Sequence, residues 1–207
     1  ITARESSPDA GAEFRSLHEI PPDAMLVGTV GELIPLKGQQ DFILAANEVA
    51  KIIPKARFVI VGRDNTVDKR FRRDLKRMVK VFELEDRFLW LDWVDDTESL
   101  FAAMDLFVSA SYSESFGMAM LEAMASGTPV VATDTDGARE LLDDKTLRVP
   151  INEPVRLAEQ IIELLGDPER RRTAADAGLS CARARFSLDR MVRETEELYY
   201  EVVRSGK

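Results

Sequence analysis

Leu106-Phe107-Val108-Ser109-Ala110, then Ser111-Tyr112-Ser113-Glu114-Ser115, then Phe116-Gly117-Met118-Ala119-Met120-Leu121-Glu122-Ala123-Met124-Ala125, then Pro129-Val130-Val131-Ala132: this stretch decides the fold. Its first part is a short apolar run without alternation, the pattern of a strand buried on both faces. Small polar residues then turn the chain. The next segment is apolar nearly all round, which marks a buried helix over 116–125. A second apolar run completes a strand, helix, strand unit, and such neighbours run parallel because only a crossover joins them.

The same alternation extends both ways. Upstream, Met25 to Val30 reads as strand and Gln39 to Ile52 as a helix that Pro54 stops. Arg57 to Val61 is strand, about Asp68 to Phe82 a basic helix, Arg87 to Leu91 strand and Glu98 to Met104 a short helix. Downstream, Ala138 to Leu142 is a helical turn, Thr146 to Val149 a last short strand, and the chain is helical from about Val155 onward. The expectation is an α/β, Rossmann-like three-layer domain with a parallel sheet of about six strands and right-handed crossovers. Residues 1–23, rich in Ser, Pro, Ala and charge, read as linker and lead-in turn, and 24–207 as the domain.

Composition narrows the function. With 207 residues, 45% hydrophobic and 31% charged, the chain suits one domain with its own core. The net charge of −9 argues against nucleic acid or an anionic membrane as partner, so a phosphate-bearing ligand must be held locally. A single cysteine, Cys181, rules out an internal disulfide and a Cys-based zinc cluster. It reads as a buried helix thiol in a reducing, cytoplasmic setting. No run of eighteen apolar residues and no secretory pattern is present. A start at Ile1 rather than Met leads us to expect a piece of a longer protein.

In parallel sheets ligands bind outside the carboxyl ends of the strands, so the residues after each strand are the candidates. After the first comes Gly28-Thr29-Val30-Gly31-Glu32-Leu33-Ile34-Pro35-Leu36-Lys37-Gly38. Its glycines let the backbone approach a ligand, and Lys37 precedes a helix where a cation can meet a phosphate. The plain alternative is a tight turn with a solvated lysine. The segment is no Walker loop, and it lacks the G-x-G-x-x-G of a dinucleotide oxidoreductase.

The residues after the 106–110 strand say more. A helix beginning near Phe116 leaves free amides at Phe116 and Gly117 facing the crevice, where a diphosphate fits. Glu114 precedes that helix, and Glu122 lies two turns in with its side chain leaning back toward the amino end. A carboxylate accepts from a pair of neighbouring hydroxyls, so two glutamates flanking an anion site suit a sugar diphosphate. The alternative is that Glu114 caps the helix and Glu122 is solvated. Against it stand the apolar neighbours of Glu122, among which an unpaired glutamate is expensive.

Glu114-x7-Glu122 followed by Ala123-Met124-Ala125-Ser126-Gly127-Thr128-Pro129-Val130-Val131-Ala132 resembles the signature of the retaining family 4 (group 1) glycosyltransferases. The resemblance runs from about Val27 to Val203, through Lys37-Gly38, Val61-Gly62, Asp105, Ser111, Gly137 with Glu140, and Phe186-Ser187. It implies the C-terminal, donor-binding half of a GT-B enzyme whose N-terminal acceptor domain is absent. The donor would be a UDP-, GDP- or ADP-sugar. The acceptor, a glycan, lipid or small molecule, and any peripheral membrane contact would belong to the absent domain, so this half alone would not transfer a hexosyl group.

By the same resemblance Lys37 binds the diphosphate, Glu114 the hydroxyls of the transferred sugar and Glu122 the ribose. The amides of Phe116 and Gly117 take the sugar or distal phosphate, while Gly31, Ser111 and Met118 complete the donor set. Lys37 and Glu114 are the catalytic pair, with no metal and no cofactor. Backbone near Leu91 to Val94 would contact the base. One departure matters: Glu32 stands where the family has an arginine paired with the lysine on the diphosphate. At about 5 Å and an effective dielectric near 20, a unit pair is worth roughly 3 kcal/mol. Arg63 is the residue expected to swing in or pair with Glu32, and the alternative function is an impaired pseudoenzyme or nucleotide-binding module. The resemblance also has the last helix, with its stripe of Leu188, Met191, Val192, Leu198, Tyr199 and Val202, crossing to the other domain; packing on this domain is the alternative.

Overall fold

A computed structural model describes residues 8–205. Along them run α1 (Pro8–Leu17), β1 (Met25–Val30), α2 (Gln39–Ile52), β2 (Ala56–Val61), α3 (Arg70–Val81), β3 (Phe88–Leu91), α4 (Thr97–Ala103) and β4 (Leu106–Ser109). There follow α5 (Met118–Ala125), β5 (Val130–Thr133), α6 (Asp136–Leu141), β6 (Arg148–Val149), α7 (Pro154–Gly166), α8 (Pro168–Arg185) and α9 (Leu188–Ser205).

The strands form one sheet in the order β3-β2-β1-β4-β5-β6, each pair parallel. Every residue of β4 and β5 is buried, as strands covered by helices on both faces must be. One helical layer joins α2 to α3 and α7; in the other α1 packs on α4, α4 on α5 and α5 on α8. Phe42 of α2 meets Phe58 of β2 edge-on at 6.2 Å, and Phe101 of α4 meets Phe107 of β4 at 5.6 Å. Each layer thus has an aromatic grip on the sheet. The Rossmann-like reading of the sequence is what the chain adopts.

Strand order reverses between β1 and β4. The chain leaves β1 toward β2 on one side and β4 toward β5 on the other, so the loops at their carboxyl ends diverge and open a crevice.

The lead-in differs from the linker read in the sequence, because residues 8–17 form α1. Arg15 clamps it, donating to the carbonyls of Ala103 (2.9 Å) and Ala24 (3.0 Å) and to Asp105 Oδ2 (2.8 Å). The same Asp105 oxygen accepts from the Leu26 amide at 2.7 Å, tying α1 to the starts of β1 and β4. Phe14 adds a buried ring. This stability is tertiary, supplied by two side chains, and a search for apolar periodicity does not see it.

Two boundaries and one burial expectation also differ. Helix α5 starts two residues later than read, for a reason that belongs to the site. Strand β6 is only Arg148–Val149, because Asp144 accepts from the Thr146 amide at 2.8 Å and holds Lys145–Leu147 in a 3-10 turn. Cys181 is half-buried rather than buried, its thiol 3.6 Å from the Leu141 carbonyl. For α9, packing on this domain is the placement that fails: none of its residues is buried, and Met191 and Tyr199 are 59% and 68% exposed.

Candidate functional site: a cleft between two loops

The crevice between the β1 and β4 loops is a cleft of about 480 Å³, within the usual span of small-molecule sites, about 300–1,000 Å³. Gly31, Lys37, Ser111, Glu114, Phe116, Gly117, Met118 and Glu122 all line it. Residues drawn from two loops and one helix, the farthest 91 positions apart in sequence (122 minus 31), therefore meet in one place.

On the β1 side the chain leaves Val30 and keeps pairing with its neighbour: the Gly31 amide donates to the Val61 carbonyl and the Leu33 amide to that of Arg63, both at 2.9 Å. A 3-10 turn over Pro35–Lys37 then closes through Gly38 N–H to the Pro35 carbonyl at 3.1 Å and aims Lys37 across the cleft. Its Nζ lies 2.6 Å from Glu114 Oε2, with the two side chains 29% and 18% exposed. In this structure Lys37 is neither solvated nor free.

On the β4 side Ser111 is buried, and its carbonyl accepts from the Thr133 hydroxyl at 2.5 Å. The Tyr112 amide donates to the Leu36 carbonyl at 2.8 Å, lashing this loop to the other one residue before Lys37. The Glu114 carbonyl accepts from the Gly137 amide at 2.8 Å. Gly137 must be glycine, since a Cβ there would lie 2.5 Å from the Phe116 carbonyl oxygen.

Phe116 is not helical. Its ring turns to Phe186 at 5.5 Å, and Gly117 follows in the left-handed region at φ 93, a conformation other residues resist. Helix α5 therefore begins at Met118, without a side-chain cap, and the amides available to an anion are those of Met118, Ala119 and Met120 rather than of Phe116. Met118 sits on the rim, 54% exposed.

Glu122 lies in the second turn of α5 and is half-buried. Its carboxyl makes no hydrogen bond or ion pair among the described residues, and burial pushes it above its ordinary pKa. Neither alternative for this residue, a solvated side chain or a paired one, is found. Glu114 likewise does not cap the helix; it pairs Lys37.

The expectation for Arg63 fails. Arg63 does not approach Glu32: its guanidinium stacks over Trp93, 5.0 Å from the ring centre. Glu32 instead accepts from Asn65 Nδ2 at 2.9 Å. The cleft thus carries Glu32, Glu114 and Glu122 against Lys37. Leu91 and Val94, near the expected base contact, line a neighbouring cleft of about 510 Å³ with Phe14 and His18 of the α1 side.

The sequence reading passed over Gln39 and the Asp41–Tyr112 contact. Gln39, at the start of α2, is 2% exposed and lines the cleft; its amide donates to the Glu32 carbonyl at 2.8 Å. Asp41 is buried, which raises its carboxyl pKa, and the Tyr112 hydroxyl beside it opposes the rise. Three polar residues, Gln39, Gln40 and Asp41, follow the Lys-Gly turn, and nothing in that run distinguishes the two that the fold buries from the one it does not.

Comparison with known proteins places this geometry in company. The sequence pattern of the family described as glycosyl transferases group 1 matches residues 12–179. The chain is 33% identical over 133 residues to N-acetyl-alpha-D-glucosaminyl L-malate synthase of Bacillus anthracis, covering 63% of this chain and 35% of that protein. It is 32% identical over 193 residues to D-inositol 3-phosphate glycosyltransferase of Salinispora tropica, covering 89% and 40%. Among solved structures it resembles Anabaena HepE in complex with UDP and glucose, with a TM-score of 0.88 and 26% identity over 96% of this chain and 54% of that one. It also resembles the C-terminal domain of the group 1 family protein LpcC from Francisella tularensis, with a TM-score of 0.79 and 26% identity over 89% and 96%. The chain spans about a third to a half of the length of these full-length relatives.

Proposed function

The chain belongs to the group 1 glycosyl transferases, and on that premise we propose that its cleft holds the nucleoside-diphosphate-sugar donor of a retaining sugar transfer. One observation carries the reading: Lys37, Glu114 and Glu122 converge around the amino end of α5 in a cleft at the point where strand order reverses. Lys37 and the amides of Met118 to Met120 meet the diphosphate, and Glu114 the hydroxyls of the transferred sugar. Glu122 takes the ribose, whose two hydroxyls supply the donors that its carboxylate lacks in the protein.

As the bond between sugar and diphosphate breaks, negative charge grows on the leaving oxygen, and Lys37 with the helix amides stabilises it. The sugar passes to an acceptor hydroxyl with its anomeric configuration kept. This reading needs no metal ion, and it assigns the acceptor, whether glycan, lipid or small molecule, to a further domain. The chain by itself is then a donor-binding module that does not transfer sugar. No helix among the described residues is long and apolar enough to cross a membrane, and the reading puts the protein in the cytoplasm, where donor sugars of this class and a reduced Cys181 are compatible.

Calorimetric titration with UDP, GDP, ADP and NAD is the test. Binding of one nucleoside diphosphate, weakened by Glu122→Ala, supports the reading. Binding of NAD alone, or unchanged affinity in Glu122→Ala, overturns it. UDP is the first to try, because Anabaena HepE was solved with UDP.

A second reading has its own support in Glu32. With Arg63 held over Trp93, no cation among the described residues joins Lys37 in lining the cleft, which opposes a diphosphate with a surplus of carboxylates. On this reading the module is an impaired pseudoenzyme, and no nucleoside diphosphate binds at millimolar concentration.

A further inference from the structure

We infer that Glu114 makes the cleft discriminate between the sugar-bearing donor and the bare nucleoside diphosphate, by taking Lys37 for itself whenever no sugar fills the site. The inference rests on the donor-binding reading above and goes beyond it, because it gives one glutamate two successive partners.

The pair is no loose surface contact. Lys37 Nζ and Glu114 Oε2 are 2.6 Å apart, and both side chains are mostly buried. Neither loop can readily draw back. Tyr112 holds the Leu36 carbonyl, next to Lys37, and the Glu114 carbonyl is held by Gly137. Lys37 is also the one cationic side chain among the described residues lining the cleft.

A bare nucleoside diphosphate that reaches Lys37 must pull it from Glu114. That strands a largely buried carboxylate and sets an added anion beside it, a state costly for both groups. A nucleoside diphosphate sugar brings hydroxyls to the same carboxylate while its phosphates take the lysine, so both side chains exchange partners and neither is stranded. After transfer the exchange reverses. With the sugar gone, Glu114 regains Lys37, the diphosphate loses its cation, and product release is favoured.

UDP and UDP-glucose are titrated into this chain, into Glu114→Gln, into Lys37→Met and into the double variant, with GDP and ADP and their glucose conjugates in parallel. Glu114→Gln should bind the bare diphosphate roughly three- to tenfold tighter than the parent, while the sugar-bearing form gains nothing. In the Lys37→Met background the gain should vanish, since no lysine is left to release. An equal gain there means plain repulsion between Glu114 and phosphate, and overturns the inference. So does unchanged affinity for the bare diphosphate in Glu114→Gln. Should that variant melt well below the parent, Glu114→Ala carries the same expectation. If no variant binds any of the three diphosphates, the donor-binding reading itself falls and the inference falls with it.

Discussion

Along the β4 wall of the cleft, residues 111–117 are held from behind by named side chains and one glycine: the Thr133 hydroxyl, the Gly137 amide and the Phe186 ring. Along the β1 wall, residues 31–38 are held mainly by main-chain pairing with Val61 and Arg63 and by their own 3-10 turn, with Gln39 bracing the Glu32 carbonyl. The first kind of support constrains which residues can stand there. The second leaves most side chains free to change while the backbone stays put, Gly38 excepted, where a Cβ would lie 1.9 Å from the Ala110 carbonyl oxygen. This is how the side chain at position 32 can be a glutamate that reaches Asn65 without disturbing the backbone of its wall.

Substitutions can break that contrast. The largest effect is expected from Gly137→Ala, whose Cβ would press on the Phe116 carbonyl at 2.5 Å. Overpacking of this sort costs about 1–3 kcal/mol, and thermal melting should show the loss together with weaker nucleotide binding. A melting temperature equal to the parent's would mean that the β4 wall is as pliable as the other. Lys37→Ala comes next: a charge-assisted bond is worth about 1.5–3 kcal/mol, so nucleoside diphosphate affinity should fall roughly ten- to hundredfold in titration, and melting should drop by less than in Gly137→Ala, because Glu114 is left without its partner.

Glu32→Arg tests the freedom of the β1 wall. It should fold as the parent does and raise nucleoside diphosphate affinity by roughly three- to tenfold, a gain limited by solvent screening at the mouth. A fall in stability would count against the contrast.

The smallest effect is at Glu122, beside neither wall's tethers. Burial raises its folded-state pKa above the ordinary value of 4.5. Ionisation therefore destabilises the fold at neutral pH, and this penalty disappears as the pH drops below the unfolded-state value. Glu122→Gln should raise the melting temperature at pH 7 by about 1–3 °C and leave it unchanged near pH 4. An equal rise at both pH values would show that the gain has another cause.

The sheet was legible because uninterrupted apolar runs leave no other arrangement, and the strand-end rule then pointed to Lys37, Glu114 and Glu122 before any contact was known. What escaped the sequence depends on partners distant along the chain. Nothing near Phe116 says that Phe186 will draw its ring out of the helix, so the sequence points to a helix start two residues before the real one. Nothing in residues 8–17 says that Arg15 will find Asp105, so the sequence there reads as linker. Arg63 follows the second strand at Gly62, a strand end from which it could reach Glu32, yet Trp93, from the next strand's loop, holds it.

The reversal of strand order has a kinetic consequence as well. Lys37 and Glu114 are 77 positions apart, and they meet only through the parallel pairing of β1 with β4. Local helices can form early, but such a non-local strand pair must await closure of a long loop. A nucleotide that recognises both walls thus binds only after this non-local pair has formed. It can brake unfolding, and it cannot template the route in.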